Sequence, residues 1–152
     1  LYFKTNQNII MNEQTHDSQS HRAYLCGRVL ALLDRIHNDA HGKSTASSPA
    51  DRYYGSASST PALVFPRLCK LARIHLAAIR KDPKLGWKAP LLDQDLSSLI
   101  AKFNDGASWP RTLSLEDQGR FAIGFYYERA PRSDEQNPNP DQTPTASSPS
   151  NS

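Results

Sequence analysis

The sequence has 152 residues and a formal net charge of +3, which is enough chain for one domain with tails. A mean hydropathy of −0.63 and the lack of any run near the roughly 18 apolar residues of a spanning helix exclude a membrane protein. The charge is unevenly spread, because residues 22–132 carry 17 basic and 10 acidic side chains, a net of +7. This basic core between slightly acidic ends indicates a polyanionic partner.

The two ends differ in composition from the middle of the chain. Residues 131–152 hold five of the eleven prolines and no aromatic residue, so we expect this tail to be disordered. Residues 1–20 are mostly polar, and we expect a flexible segment there. Residues 1–10 are interpreted as vector-derived or as upstream reading frame, with Met11 as a candidate start that no signal peptide follows. The folded domain is therefore predicted over residues 21–130.

Hydrophobic periodicity is helical through the middle of the chain and shows no strand alternation, which predicts an all-α, compact bundle of about five helices with disordered N- and C-terminal tails. A first helix is expected near residues 21–38, with Ser20 as its N-cap and Gly42 just past its end. Its apolar stripe is Leu25, Val29, Leu32 and Ile36. A second, short helix is expected over residues 51–58.

Three more helices are predicted after residue 60. The third helix is predicted to open with Thr60 as its cap and Pro61 at its first position. It ends at Lys81, before Asp82-Pro83. Pro66 is expected to kink this helix or to displace its start. Its apolar face is predicted to hold Val64, Leu68, Leu71, His75, Ala78 and Ile79. The fourth is expected near residues 91–104. The fifth, over 115–129, follows a capping box from Ser114 to Asp117. Its stripe is predicted to be Leu115, Gly119, Ala122 and Tyr126, flanked by Phe121 and Phe125, with small residues that permit close helix approach.

Residues with catalytic potential are few, and we expect no enzyme, no cofactor and no metal. His37 and His41 have the i, i+4 spacing of a chelating pair, but the glutamate of a zinc protease is missing and a helix C-terminus suits histidine anyway. His75, on an apolar face, is interpreted as a hydrogen-bonded core histidine. Cys26 and Cys69 form no CxxC motif and are expected to be reduced thiols of a cytosolic protein.

The informative segment is the third helix. Between Pro61 and Lys81 there are five lysine and arginine residues and no acidic residue. At 100° per residue the five cations share one broad face opposite the apolar stripe, and Lys84 and Lys88 extend the positive surface. A solvated helix face usually mixes charge signs. The pattern therefore favours a polyanion surface over an ordinary solvated face, through phosphate contacts that are independent of sequence.

Four sequence blocks resemble the C-terminal region of the type I-C CRISPR Cascade large subunit, which is also made separately as the small subunit of that complex. The blocks are AYLCGR at 23–28, DRYYGSAS at 51–58, TPALVFPRL at 60–68 and LSLEDQGRFAIGFYY at 113–127. The resemblance covers residues 21–130 and makes Met11 look like an internal start. It assigns no role to the C-terminal tail.

The resemblance implies a cytoplasmic, prokaryotic, non-catalytic small subunit on the belly of the complex. Its implied partners are the Cascade backbone subunits, the large subunit, further copies of itself, target DNA (chiefly the displaced non-target strand) and, indirectly, the crRNA. Protein contacts to strand backbones can tip R-loop formation, because the heteroduplex is about as stable as the duplex it replaces. The alternative is a purely structural spacer whose basic face contacts neighbouring subunits or crRNA.

The expected DNA contacts are cations within or near the matching blocks. Two alternatives stay open: Tyr53 and Tyr54 either stack on a base or help to dock a short helix in the core, and Arg67 and Arg120 either contact DNA or form intramolecular salt bridges. The candidate nucleic-acid-binding residues are Arg52, Arg67, Lys70, Arg73, Arg80, Lys81 and Lys84.

Overall fold

The computed structural model describes residues 2–42, 47–103 and 108–131, with side chains in the first range described from residue 18 onward. Over these residues the chain forms five α-helices and one 3-10 turn, and no strand, which confirms the predicted all-α class. The helices are α1 (Tyr2–His41), α2 (Pro49–Ser59), α3 (Pro61–Lys81), α4 (Ala89–Ala101) and α5 (Leu115–Arg129), with the 3-10 turn at Gly86–Lys88. Apart from Pro131, the tail expected to be disordered lies outside the described residues.

Helix α1 is the central element. Its side chains are buried all round between Ala23 and Ile36, including Cys26 and Leu30 in addition to the predicted stripe, as expected for a helix with neighbours on every side. The helix begins at Tyr2 rather than near residue 21. The boundary of the folded domain at residue 20 stays a prediction. Gly42 ends it with a φ of 66°, the left-handed conformation that glycine adopts without steric cost.

Ser20 is not the N-cap that we expected. It lies inside α1, where its buried hydroxyl donates to Asp117 Oδ1 at 2.8 Å. Ser114 does cap α5, by accepting from the backbone N–H of Asp117. The Asp117 carboxylate, expected to complete a capping box with Ser114, binds across the interface to α1. A motif that looked local is thus part of a contact between two helices.

Two further caps also differ from the prediction. Helix α2 starts at Pro49, two residues early, because Ser48 and Asp51 form a reciprocal capping box. Thr60 stands at the N-cap position of α3 but makes no side-chain cap; its hydroxyl donates to Ser56 O at 3.1 Å. Helix α3 runs unbroken through Pro66, so that proline does not displace its start.

Hydrogen bonds and ring contacts fix the helix directions as up, down, up, down, up. Ala50 N–H donates to Asp34 near the end of α1, and Ala62 N–H at the start of α3 donates to Pro110 O at the opposite end. Trp109 stacks on Phe65 of α3 and meets Phe103 after α4 edge-on. Short connections between antiparallel neighbours give this arrangement, and α5 returns parallel to α1.

Helix α5 packs on α1 through a face different from the predicted one. The buried side chains are Asp117, Phe121, Phe125 and Glu128, together with Gly124. The predicted stripe of Leu115, Gly119, Ala122 and Tyr126 is largely exposed, since Leu115 is 85% and Tyr126 64% accessible. The apolar spacing is real, but it faces away from the core because Phe121 and Phe125 fill the interface instead.

Helix α4 begins at Ala89, two residues earlier than expected, directly after the 3-10 turn. Leu92, Leu96 and Leu99 are buried, whereas Ile100 is half exposed. The helix ends at Ala101, and of the expected last residues Asn104 lies outside the described residues.

Candidate nucleic-acid interface

The buried face of α3 is rotated slightly from the predicted one. Leu71 and Ala78 are exposed, and Phe65, Ala72 and Leu76 are buried in their place. With Val64 at zero and about 100° per residue, the buried face is centred near about 60° rather than about 20°. The rotation brings the basic side chains, which lie between about 160° and about 300°, almost directly opposite the core.

All seven predicted nucleic-acid-binding residues have exposed side chains. Among the described residues none of them forms a salt bridge; the ion pair present there joins Arg28 to Glu128. Arg120 is exposed and also unpaired in this part of the chain. For Arg67 and Arg120 the intramolecular salt-bridge alternative therefore finds no partner among the described residues. Five cations along one helix, with no carboxylate paired to them in the described ranges, give a concentrated positive surface.

The cations of α3 form a track along the helix. From Arg67 to Lys81 the axis extends about 21 Å at 1.5 Å per residue. Asp82 ends the helix, and its Oδ1 accepts from the N–H groups of Lys84 and Leu85 at 2.7 and 3.1 Å. This tight turn places Lys84 directly beyond Lys81. The track is long enough to follow several phosphates of an extended strand.

Arg52 is on a different helix from the other candidates. It lies on the exposed side of α2, close enough to His37 of α1 for its charge to help to lower the pKa of that imidazole. It thus stands beside the end of α1, at the level where His37 meets His75 of α3. Sequence spacing alone could not relate Arg52 to α3, because only the packing of the helices brings Arg52 to the end of the bundle where His37 meets His75 of α3.

Two exposed apolar residues on the basic face were missed by the sequence analysis. Leu63 is 79% accessible and Ile74 is 64% accessible, and both project at angles between those of Arg67 and Lys70. An apolar stripe at helical spacing predicts the core, and single aliphatic residues outside that stripe give no distinct signal of a surface. The face is therefore mixed, with cations around an aliphatic centre.

The tyrosines of α2 belong to the core. Tyr53 and Tyr54 are half-buried and pack against the hydrophobic cluster. The Tyr54 ring meets Phe121 and Phe125 edge-on, at centroid distances of 5.5 and 5.1 Å. Burial raises the pKa of the Tyr54 hydroxyl. Of the two alternatives left open, the structure supports docking of α2 over stacking on a base.

The bundle brings three histidines together at the end of α1. His37 Nδ1 lies 3.4 Å from His75 Nε2, and one ring nitrogen from each of His37, His41 and His75 lies within 4.8 Å of the others. Burial and the neighbouring His41 lower the pKa of both His37 and His75, so both imidazoles favour the neutral form. The sequence placed His75 in the core, as observed, but gave no sign that it meets the other two.

Both cysteines are free thiols. Burial raises the pKa of Cys26 to about 12 and that of Cys69 to about 11. Such thiols are protonated and unreactive at neutral pH, as expected of packing residues.

Comparison with protein families identifies the group to which this chain is related. The model of the Csd1 family of CRISPR-associated proteins (Cas_Csd1) matches residues 3–132. This match spans most of the sequence. The chain belongs to this family. A comparison with curated proteins gave no match.

The family match includes the whole predicted domain and also most of residues 1–20, which we had placed outside it. The match supports the general conclusion that this chain is a CRISPR-associated protein. None of the helices over the described ranges is both long and apolar enough to cross a membrane.

Proposed function

We propose that this Csd1-family chain is the non-catalytic small subunit of a type I-C Cascade surveillance complex in the prokaryotic cytoplasm. In this role it lines the belly of the complex and stabilises the R-loop by binding the displaced non-target DNA strand without regard to sequence. Its partners are the Cascade backbone subunits, the large subunit, further copies of itself, the DNA and, indirectly, the crRNA.

The observation that carries the proposal is the face of α3. Arg67, Lys70, Arg73, Arg80 and Lys81 are exposed, and they find no salt-bridge partner among the described residues. Phosphate contacts of this type give affinity without base readout. An R-loop needs such contacts because its formation is almost balanced in energy, so a modest backbone affinity shifts the equilibrium.

The test reverses charge on this face in the assembled complex. Arg67→Glu, Lys70→Glu and Lys81→Glu together should weaken target-DNA binding at least about tenfold at moderate salt. They should also reduce the slope of log affinity against log salt by about 2, at about 0.7 per lost single-strand phosphate contact. A gel-shift series across salt concentrations measures both.

A matched control reverses three exposed cations away from this face. Lys102, Arg111 and Arg129 lie after α4, before α5 and at the end of α5. Their reversal changes the net charge by the same amount, so it should leave most of the DNA affinity if the α3 track is the contact. Equal losses in both triple variants would contradict the proposal, because they would indicate a general charge effect.

A structural spacer subunit is the second candidate, and the exposed aliphatic residues favour it. Leu63 and Ile74 lie within the basic face, and α5 presents Leu115, Gly119 and Tyr126 outward. A Cβ added at Gly119 would meet nothing within 4 Å, so this face is open to a partner helix. Exposed apolar stripes with small residues are typical of subunit contacts.

The two candidates differ in the step at which variants fail. Leu63→Ser with Ile74→Ser should prevent incorporation of the subunit if the α3 face packs on protein, and assembly is measured by size exclusion before DNA is added. If the face binds DNA, complexes carrying this double variant form normally and the triple charge reversal alone lowers DNA affinity. A charge-reversed subunit that fails to assemble would favour the spacer.

A further inference from the structure

We propose that His37, His41 and His75 form a binding site for one divalent transition-metal ion, best suited to Zn²⁺, that joins the C-terminal end of α1 to α3. The site is independent of the proposed nucleic-acid role. The sequence showed two of the ligands at chelating spacing, and the third comes from a helix more than thirty positions later in the chain.

The donor geometry fits a tetrahedral ion. Zinc binds imidazole nitrogen at 2.0–2.1 Å, so two nitrogens on one tetrahedral ion are separated by about 3.4 Å. His37 Nδ1 and His75 Nε2 stand 3.4 Å apart. The three donor atoms all lie within 4.8 Å of one another, so His41, which is on the exposed last turn of α1, needs only a small side-chain rotation to complete the set.

The polar groups of the cluster are incompletely satisfied by the residues that the structure describes. His37 Nε2 is buried and has no hydrogen-bond partner among the described residues. Its other ring nitrogen can share at most one proton with His75. An ion bound by Nδ1 would take the place of that shared proton, whereas Nε2 would carry the ring proton and stay unpaired, so the facing nitrogens of His37 and His75 carry the argument. Coordination uses an unprotonated nitrogen and fixes the tautomer of each ring.

The electrostatic setting admits a cation. The cluster is at the C-terminus of α1, where the partial negative charge of the helix favours positive charge, and the buried carboxylate of Asp34 lies one turn before His37. Arg52 opposes these effects, since its charge is felt at His37. The side-chain charges near the cluster are therefore of both signs, from the Asp34 carboxylate and the Arg52 guanidinium. Their opposite effects leave a site that can take one divalent ion without a cluster of carboxylates.

The ligand set also decides the class of metal. Three imidazoles select zinc, cobalt, nickel or copper over calcium or magnesium, which require oxygen ligands. Three protein ligands leave a fourth position for water or another small ligand, and the exposed side of His41 gives an entry path. The ion would hold the second half of α3, with Arg80 and Lys81, against α1.

The experiment uses the untagged full chain after removal of metal with a chelator. Titration calorimetry with ZnCl₂ should show one ion bound per chain, and the melting temperature should rise with zinc concentration because the ion binds the folded state. Substitution of Co²⁺ should give the visible absorption of a tetrahedral site. Binding of no ion, or a Co²⁺ spectrum of six-coordinate form, would overturn the proposal.

Two variants assign the ligands. His41→Ala changes an exposed side chain and should weaken zinc binding at least about tenfold while leaving the metal-free protein folded. His21→Ala is the matched control, since His21 is exposed on the same helix outside the cluster, and it should bind like the wild type. If His41→Ala binds zinc as tightly as His21→Ala, the ion is held elsewhere and the proposal fails.

The half-buried ligand His37 needs a variant that keeps the fold. His37→Gln retains polarity and similar size, and its folding is checked by circular dichroism before zinc is added. Together with His41→Ala it should remove calorimetric binding. Retained binding in the folded double variant would contradict the assignment of these residues.

Discussion

Gly27 of α1 and Gly124 of α5 are the points at which the two helices touch backbone to backbone. A Cβ on Gly27 would lie 1.9 Å from Phe121 O, and a Cβ on Gly124 would lie 2.0 Å from Tyr24 O. No side chain fits at either position without separating the helices. The pair therefore sets the distance between α1 and α5, the most extensive helix contact of the bundle.

This close approach predicts opposite outcomes for two glycines of α5. Gly124→Ala should lower the free energy of unfolding by about 3 kcal/mol or more, since the backbone of α1 cannot yield as a flexible side chain would. Gly119→Ala should raise it by roughly 1 kcal/mol, because alanine is the better helix former and a Cβ at Gly119 meets nothing. Urea unfolding followed by circular dichroism measures both, and equal effects would show that the helices are not in backbone contact.

The hydrogen bond from Ser20 to Asp117 predicts a buried polar contribution to stability. Ser20→Ala should cost about 1–2 kcal/mol, because it leaves the buried Asp117 carboxylate with one partner fewer. Ser18→Ala makes the same chemical change at an exposed position of α1 and should have almost no effect. Because Ser20 lies inside α1, it cannot act as a helix cap. A difference between the two urea midpoints therefore reports the hydrogen bond to Asp117.

The ion pair between Arg28 and Glu128 predicts a non-additive pair of substitutions. The Nε to Oε2 distance is 2.9 Å, and the Glu128 side chain is only 4% accessible against 18% for Arg28. Arg28→Met should cost about 2 kcal/mol, since it removes a charged hydrogen-bond partner from a buried carboxylate. Arg28→Met combined with Glu128→Leu should recover part of that loss. Additive losses in the double variant, measured by urea unfolding, would mean that the two side chains are not coupled.

The two cysteines predict low thiol reactivity and an alkaline loss of stability. With pKa values of about 12 for Cys26 and about 11 for Cys69, the folded protein should react slowly with a disulfide reagent at pH 8, and Cys69 should react first. Unfolded cysteine ionises near pH 8.5, so above that pH the unfolded state releases protons that the folded state retains. This part of the stability is present below about pH 8.5 and is lost as the pH rises.

The control for this pH dependence is the double variant Cys26→Ala, Cys69→Ala. Other groups, including Tyr54, titrate in both proteins, so only the difference between the two urea-midpoint profiles reports the thiols. The variant should show the flatter decline between pH 8 and 10.5. Parallel profiles would indicate that the thiols ionise alike in folded and unfolded protein.

Much of the bundle was predicted from local patterns. The start of α3 at Pro61, its end before Asp82 and the left-handed Gly42 follow from proline lacking an N–H and from the steric freedom of glycine. The exposure of the seven candidate cations also followed, because a charged side chain without a partner is rarely buried. The predictions on DNA binding and partners remain proposals.

The errors in the buried faces of α3 and α5 share one physical cause, the choice between two faces of an amphipathic helix. In α5 Leu115, Gly119 and Tyr126 recur at helical spacing, as Phe121 and Phe125 do, and only packing on α1 decides which side is buried. Ser20 and Asp117 each matched a capping signal, and their bond across the interface could not be read from either segment alone.

The sequence by itself determined the helical class, both ends of α3 and α5 and the net charge of the α3 face, because these depend on residues within a few positions of one another. The tertiary structure alone decided the register of the buried faces and the meeting of His37, His41 and His75. Those relationships join residues far apart in the chain, and they exist only where close packing of the helices at Gly27 and Gly124 fixes which side chains face each other.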